Sequence, residues 1–471
     1  MHSVNPYTGE TIRAYDAHSD EQVDQQIRAA DRAFHEWRKT SFAERARLMH
    51  SAAAVLRDRK RELADLMADE MGKVLRDGVA EIEKCAACCD YFANNAAGFL
   101  ASQHVDSDAA DSYVAFDPLG VILAVMPWNF PFWQVFRFAA PSLMAGNTGV
   151  LKHASNVCGC ALAIQDIFEQ AGFPQHVFGT LLVDSARVEH IIRHPLVRAV
   201  TLTGSTPAGR SVAGIAGAEL KKTVLELGGS DPYLVLDDAD LELAVATCVQ
   251  SRLINAGQSC IAAKRFIVVA PLYADFVQRY VEKFNAIRCG DPKDDATDIG
   301  PLARPDLRDG VHEQVQQTVR QGARLLTGGQ IPPGPGCCYP PTVLADVKPG
   351  MSAFDEEIFG PVAAIVEAAD EAEAITLANR SEYGLGAAVF TRDQARADRI
   401  ARAIEAGSVF VNAFVKSDAR LPFGGVKHSG YGRELSSFGI REFVNIKTVW
   451  HAATRQARQQ AAAPGKGRAP E

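Results

Sequence analysis

Between residues 121 and 217, short apolar runs and helical patterns alternate in strict turn, and few folds accommodate that order. Val121-Ile-Leu-Ala-Val-Met126, Gly149-Val-Leu-Lys152, Gly179-Thr-Leu-Leu-Val183 and Ala199-Val-Thr-Leu-Thr203 read as buried strands. Helical periodicity occupies 132–146, 158–171, 185–193 and 207–217. Strands joined by crossover helices make a parallel sheet covered on both faces. The expected class is therefore α/β, with a doubly wound sheet of the kind that binds nucleotides. A second alternating set starts at Tyr233-Leu-Val-Leu236. It passes through a helix at 239–255, a strand at 265–269 and a helix at 271–287, and runs to about residue 412. A chain of 471 residues is longer than one core usually serves, so this second set is expected to form its own domain.

Helices are expected before the first strand, over 19–39, 41–71 and 74–100, with Ser19 and Ser41 as N-caps. Short β-like runs at 102–117 and 443–451 belong to neither alternating set. The stretch from Ala452 onward is rich in Ala, Gln, Arg, Pro and Gly and is expected to be disordered. Hydrophobic residues make up 47% of the chain, enough for large cores. A net charge of −8 argues against a nucleic-acid or anionic-membrane surface, since either needs a basic patch. No apolar run approaches the ~20 residues of a membrane span, and Met1-His-Ser-Val-Asn-Pro6 has no leader character. A cytoplasmic location is expected. The ten cysteines do not complete a zinc pattern, so no metal is expected and reduced thiols are.

Five local motifs carry chemistry: Pro127-Trp-Asn-Phe-Pro131, Glu226-Leu-Gly-Gly229, Asn255-Ala-Gly-Gln-Ser-Cys260, Glu357-Ile-Phe-Gly-Pro361 and Pro422-Phe-Gly-Gly425. Each alone is weak. A lone Cys is usually inert filling, and a Glu before Gly-Gly often just ends a strand. Gly204-Ser-Thr-Pro-Ala-Gly209 follows a strand and opens a helix, and Glu226 lies 22 residues after Gly204. A dinucleotide-binding reading would place that acid on the cofactor ribose, but Thr206 replaces the second glycine of that fingerprint. Lys152 ends a strand at its carboxyl edge, where doubly wound sheets bind ligands. Taken residue by residue, a cysteine hydrolase and a non-catalytic binding protein both stay open.

Read as a set, the motifs resemble the aldehyde dehydrogenase superfamily, over roughly residues 3–451. The resemblance implies an aldehyde oxidised through a cysteine adduct and a thioester. Cys260 is then the nucleophile, Glu226 the general base and Asn129 an oxyanion donor. It further implies cofactor contacts from Trp128, Lys152, Ser155, Gly204, Ser205, Glu357 and Phe359, with NAD or NADP as cofactor. Many NAD-specific members carry Lys-Pro-Ala-Glu where this chain has Lys152-His-Ala-Ser155. The carboxylate that repels a 2′-phosphate is missing, so NADP is admitted.

Within that superfamily the chain most resembles a bacterial branch of NAD(P)-linked succinate-semialdehyde dehydrogenases. Arg137 matches an arginine that those enzymes use for the substrate carboxylate, and Ser417 lies near a serine that they use. A second family arginine is Ile254 here, with Arg252 as a substitute from another direction. Glutarate semialdehyde or an uncharged aliphatic aldehyde is the alternative substrate. The implied architecture is a dinucleotide-binding domain over 1–101 and 119–227 and a catalytic domain over 228–428. Oligomerisation strands follow at 102–118 and 443–452, in a homodimer or homotetramer, with a tail at 453–471.

Overall fold

The structure is a computed structural model and describes residues 1–452, so the tail expected to be disordered lies outside the described residues. Two large mixed sheets dominate. The first has six strands in the order Gly430–Tyr431, Lys222–Glu226, Val197–Thr203, Val121–Met126, Thr148–His153 and Phe178–Thr180. All neighbours are parallel except Gly430–Tyr431, which runs antiparallel at one edge. Strand order reverses between Val121–Met126 and its two flanking strands, which is where a doubly wound sheet opens a crevice. The second sheet has seven strands: Arg324–Thr327, Thr342–Ala345, Val362–Ala368, Arg265–Val269, Pro232–Val235, Gly386–Phe390 and Ser408–Val411. It is parallel apart from its first pair. The two alternating patterns of the sequence are these two sheets.

Local chemistry explains the element ends. Ser19 and Gln22 form a reciprocal capping box on Asp20–Trp37, and the Ser41 hydroxyl accepts from the Glu44 amide. The single helix expected over 41–71 is two, Phe42–Asp58 and Lys60–Met71. Between them Arg59 leaves helical geometry, and its guanidinium bridges Glu62 and Asp166, the latter at 2.6 Å. No proline or glycine marks that break. The β-like runs outside both sets form a three-stranded antiparallel sheet of Val444–His451, Asp111–Pro118 and Gln103–His104. Val444–His451 is its open edge, mostly exposed, with Ile446 and Trp450 facing out.

The helix Leu75–Phe99 crosses the helix Trp133–Ala145 in the largest core. Glu81 organises this crossing. Its carboxylate accepts from the Phe132 and Trp133 amides, both at 2.9 Å, and so satisfies the start of Trp133–Ala145. It also pairs with buried Lys73, whose ammonium donates to the Asn129 carbonyl at 2.9 Å. One buried ion pair thus fixes both Asn129 and the helix that follows it. No helix among the described residues is long and apolar enough to cross a membrane.

Candidate active site

Cys260 follows an unusual turn. Asn255, Ala256 and Gly257 all have positive φ, at 53°, 54° and 77°. For the two non-glycine residues this costs on the order of 1–2 kcal/mol each. The surroundings hold the turn: Arg252 donates to the Gly257 carbonyl at 2.7 Å, and the Asn255 amide donates to the Asn129 carbonyl at 2.8 Å. Strain maintained in this way is characteristic of functional sites. Arg252 is fully buried and does not line the cavity beside Cys260, so it does not stand in for the missing family arginine. The Asn129 side-chain amide donates to the Gln258 carbonyl at 3.1 Å, two residues from Cys260.

Beyond the turn, buried Lys264 donates to the Ser259 and Cys260 carbonyls at 2.9 and 2.7 Å and pairs with Glu357 at 3.2 Å. The Gly229 amide donates to the same Glu357 carboxylate at 3.1 Å. A Cβ on Gly229 would sit 2.9 Å from the Cys260 carbonyl oxygen, so the second glycine of Glu226-Leu-Gly-Gly229 permits a close backbone approach. Trp128 and Phe359 meet edge to face, with centroids 5.8 Å apart. Burial pushes the Cys260 thiol up to about 12, against the pull of Arg137 and Lys264. In the free protein this thiol is neutral at pH 7 and needs a route for its proton.

Glu226 ends its strand, and its carbonyl accepts from the Gly204 amide at 3.0 Å. It is 2% exposed, and neither carboxylate oxygen has a hydrogen-bond partner among the described residues. Burial, then the neighbouring Glu434 carboxylate, hold Glu226 well above the usual carboxylate range. Arg137 pulls the other way, and it forms a buried ion pair with Glu434. Its guanidinium also lies 4.6 Å from the Phe423 ring centroid. The charge assigned from sequence to the substrate is therefore engaged by Glu434. Removing one partner would strand the other, a loss on the order of 3–5 kcal/mol.

Arg137, Ser417 and Cys260 share one cavity of about 250 Å³, a space for a short substrate. Ile254 also lines it, whereas Glu226 and Asn129 do not. The other sequence candidates lie outside this cavity. Ser205 caps the helix Thr206–Ala218 and presents its N-terminus, an anion-favouring end. Lys152 is 8% exposed at the end of Thr148–His153, and burial lowers its ammonium. Ser155 is exposed in the turn that follows. Sequence reasoning passed over Lys264, Glu434 and Lys84, which carry no motif of their own. All ten cysteines are unpaired.

The aldehyde dehydrogenase family model matches residues 1–449. A Mycobacterium tuberculosis protein named succinate-semialdehyde dehydrogenase (NADP(+)) 1 is 52% identical over 453 residues, covering 96% of this chain and 99% of that one. A Mycobacterium avium protein named succinate-semialdehyde dehydrogenase (NADP(+)) is 51% identical over 457 residues, covering 96% and 97%. Among solved structures, succinic semialdehyde dehydrogenase from Streptococcus pyogenes in complex with NADP+ superposes with a TM-score of 0.94 at 38% identity, covering 96% of this chain and all of that one. With the fold, the strained cysteine turn and these likenesses together, the chain belongs to the aldehyde dehydrogenase family.

Proposed function

We propose that this protein oxidises succinate semialdehyde to succinate with NADP or NAD, NADP being the cofactor of the relatives above. The observation that carries the reading is the short cavity in which Cys260 faces cationic and hydroxyl side chains. Cys260 sulfur attacks the aldehyde carbon, a C–S bond forms, and the thiol proton leaves toward Glu226 or water. The Asn129 side-chain N–H, turned from the Gln258 carbonyl, steadies the charge that develops on the former carbonyl oxygen. Bound nicotinamide supplies the hydride acceptor for the oxidation. Glu226 then takes a proton from the water that attacks the thioester, and the C–S bond breaks to release the acid.

The residues that would hold the cofactor fit an anionic dinucleotide. The helix start at Ser205 and the cation of Lys152 suit phosphate and ribose oxygens, and Trp128, Glu357 and Phe359 lie beside the nucleophile turn. In this reading the six-stranded sheet, with residues 1–101 and 119–227, is the cofactor domain, and 228–428 is the catalytic domain. The exposed edge Val444–His451, with Ile446 and Trp450, would pair copies into a homodimer or homotetramer.

A panel of aldehydes with each cofactor tests the substrate. kcat/KM should be highest for succinate semialdehyde, and an equal value for butanal would overturn the reading. Ser155 makes a separate prediction. Ser155→Glu is expected to depress NADP use at least ~10-fold more than NAD use, through repulsion of the 2′-phosphate. Equal effects in steady-state assays with the two cofactors would remove Ser155 from the ribose.

A further inference from the structure

Resting on that substrate reading, we infer that Lys84 is the cation that receives the substrate carboxylate, with Ser417 as its hydrogen-bonding partner. Lys84 sits on the helix Leu75–Phe99 and lines the Cys260 cavity. Its ammonium donates to the Ser417 hydroxyl at 2.7 Å and lies 4.2 Å from the centroid of the Trp133 ring. Trp133 donates its indole N–H to the same hydroxyl at 3.1 Å. Ser417 oxygen therefore accepts twice, which leaves its own hydrogen free to donate. Lys84 uses one N–H on Ser417 and keeps two. The result is a cluster of donors with a positive charge on the wall of a cavity that also holds the nucleophile.

Apart from exposed Lys416, the other charged side chains of this cavity have partners within the chain. Arg137, on Trp133–Ala145, pairs with Glu434, and Glu81, one turn before Lys84 on its own helix, pairs with Lys73. Asp77 lies two turns before Lys84 and contacts Arg76. Cys85 and Cys88 are neutral, since burial raises both thiols. Lys416, beside Ser417, is exposed and brings no negative charge. Among the described residues no carboxylate lies within ion-pair distance of Lys84. A partly buried cation held only by a hydroxyl and an aromatic face gains most from an incoming anion. Burial first, and Arg137 next, lower its ammonium to about 8, so it is charged at neutral pH and a bound carboxylate would hold it charged. Ile254, at the position of the second family arginine, lines the same cavity without charge. Lys84 supplies that charge from a different helix.

The test compares succinate semialdehyde with butanal in wild type, Lys84→Met and Lys84→Arg. In Lys84→Met the ratio of the two kcat/KM values should fall about thirtyfold or more, mainly through KM for the charged aldehyde. Lys84→Arg, which keeps the charge, should retain more of the preference. In wild type, kcat/KM for succinate semialdehyde relative to butanal should decline as pH rises through about 8, where the free ammonium is lost. That profile needs no variant and decides the matter even if Lys84→Met does not fold. A wild type that prefers succinate semialdehyde, combined with a Lys84→Met protein that keeps the preference or a pH-independent ratio, overturns the lysine assignment alone. A wild type without the preference sinks the substrate reading and this inference with it.

Discussion

Cys260→Ala is expected to abolish aldehyde oxidation, with steady turnover at least about a thousandfold below wild type, while NADP still binds. Without the thiol no covalent adduct forms, and the groups around it have nothing to act on. Lys264, which donates to the Cys260 main-chain carbonyl and not to its side chain, should hold the turn in place in the variant. Cofactor binding, measured by fluorescence titration, would then separate a dead nucleophile from a collapsed site. The same thiol has a pH signature. Because burial pushes it up to about 12, its thiolate fraction in the free protein rises tenfold per pH unit through the neutral and mildly alkaline range. Alkylation of Cys260, followed by peptide mass spectrometry, should climb with that slope and show no plateau between about pH 7 and 9. A plateau near neutrality would mean a pre-formed thiolate. Residual oxidation above one part in a thousand in Cys260→Ala would deny the nucleophile its role.

Much of this architecture was legible because its signals are local. Apolar runs such as Val121–Met126 are buried on both faces of a parallel sheet, and that environment leaves an unbroken hydrophobic stretch in the sequence. Ser19 could be read as a cap because its partner, Gln22, is three residues away. Cys260 and Glu226 stood out for a related reason: the close backbone approach at Gly229 leaves a glycine in the motif. What stayed hidden depends on partners far along the chain. Lys84 meets Ser417 across 333 residues, and no spacing rule reaches so far. The pairing of Arg137 with Glu434 is of the same kind, so an arginine matched to a substrate role from sequence proves to be engaged by a carboxylate of its own chain. Gly430–Tyr431, two residues long, carries no periodicity, yet it closes one edge of the first sheet beside Glu226.

Glu226→Gln should separate the two halves of the reaction. The substitution keeps the shape of the side chain and removes its ability to take a proton. A pre-steady-state burst of reduced cofactor should survive, because the first hydride transfer needs no water. Steady turnover should fall at least ~100-fold, because the thioester then waits for an unassisted water. The pH dependence gives the sign. Burial and Glu434 raise Glu226 well above the usual carboxylate range, so its carboxylate forms at higher pH than an ordinary glutamate's. Wild-type deacylation should therefore quicken as pH rises and the carboxylate forms, and in Glu226→Gln that component of the rise should vanish. The site around it has little slack: Gly424 has φ +152°, and a Cβ there would lie 2.7 Å from Glu226 Oε1. If Glu226 instead held the cofactor ribose, the variant would bind cofactor more weakly and turn over almost normally at saturation. Stopped-flow and steady-state rates on one preparation distinguish the two, and a lost burst with normal saturated turnover would end the base assignment.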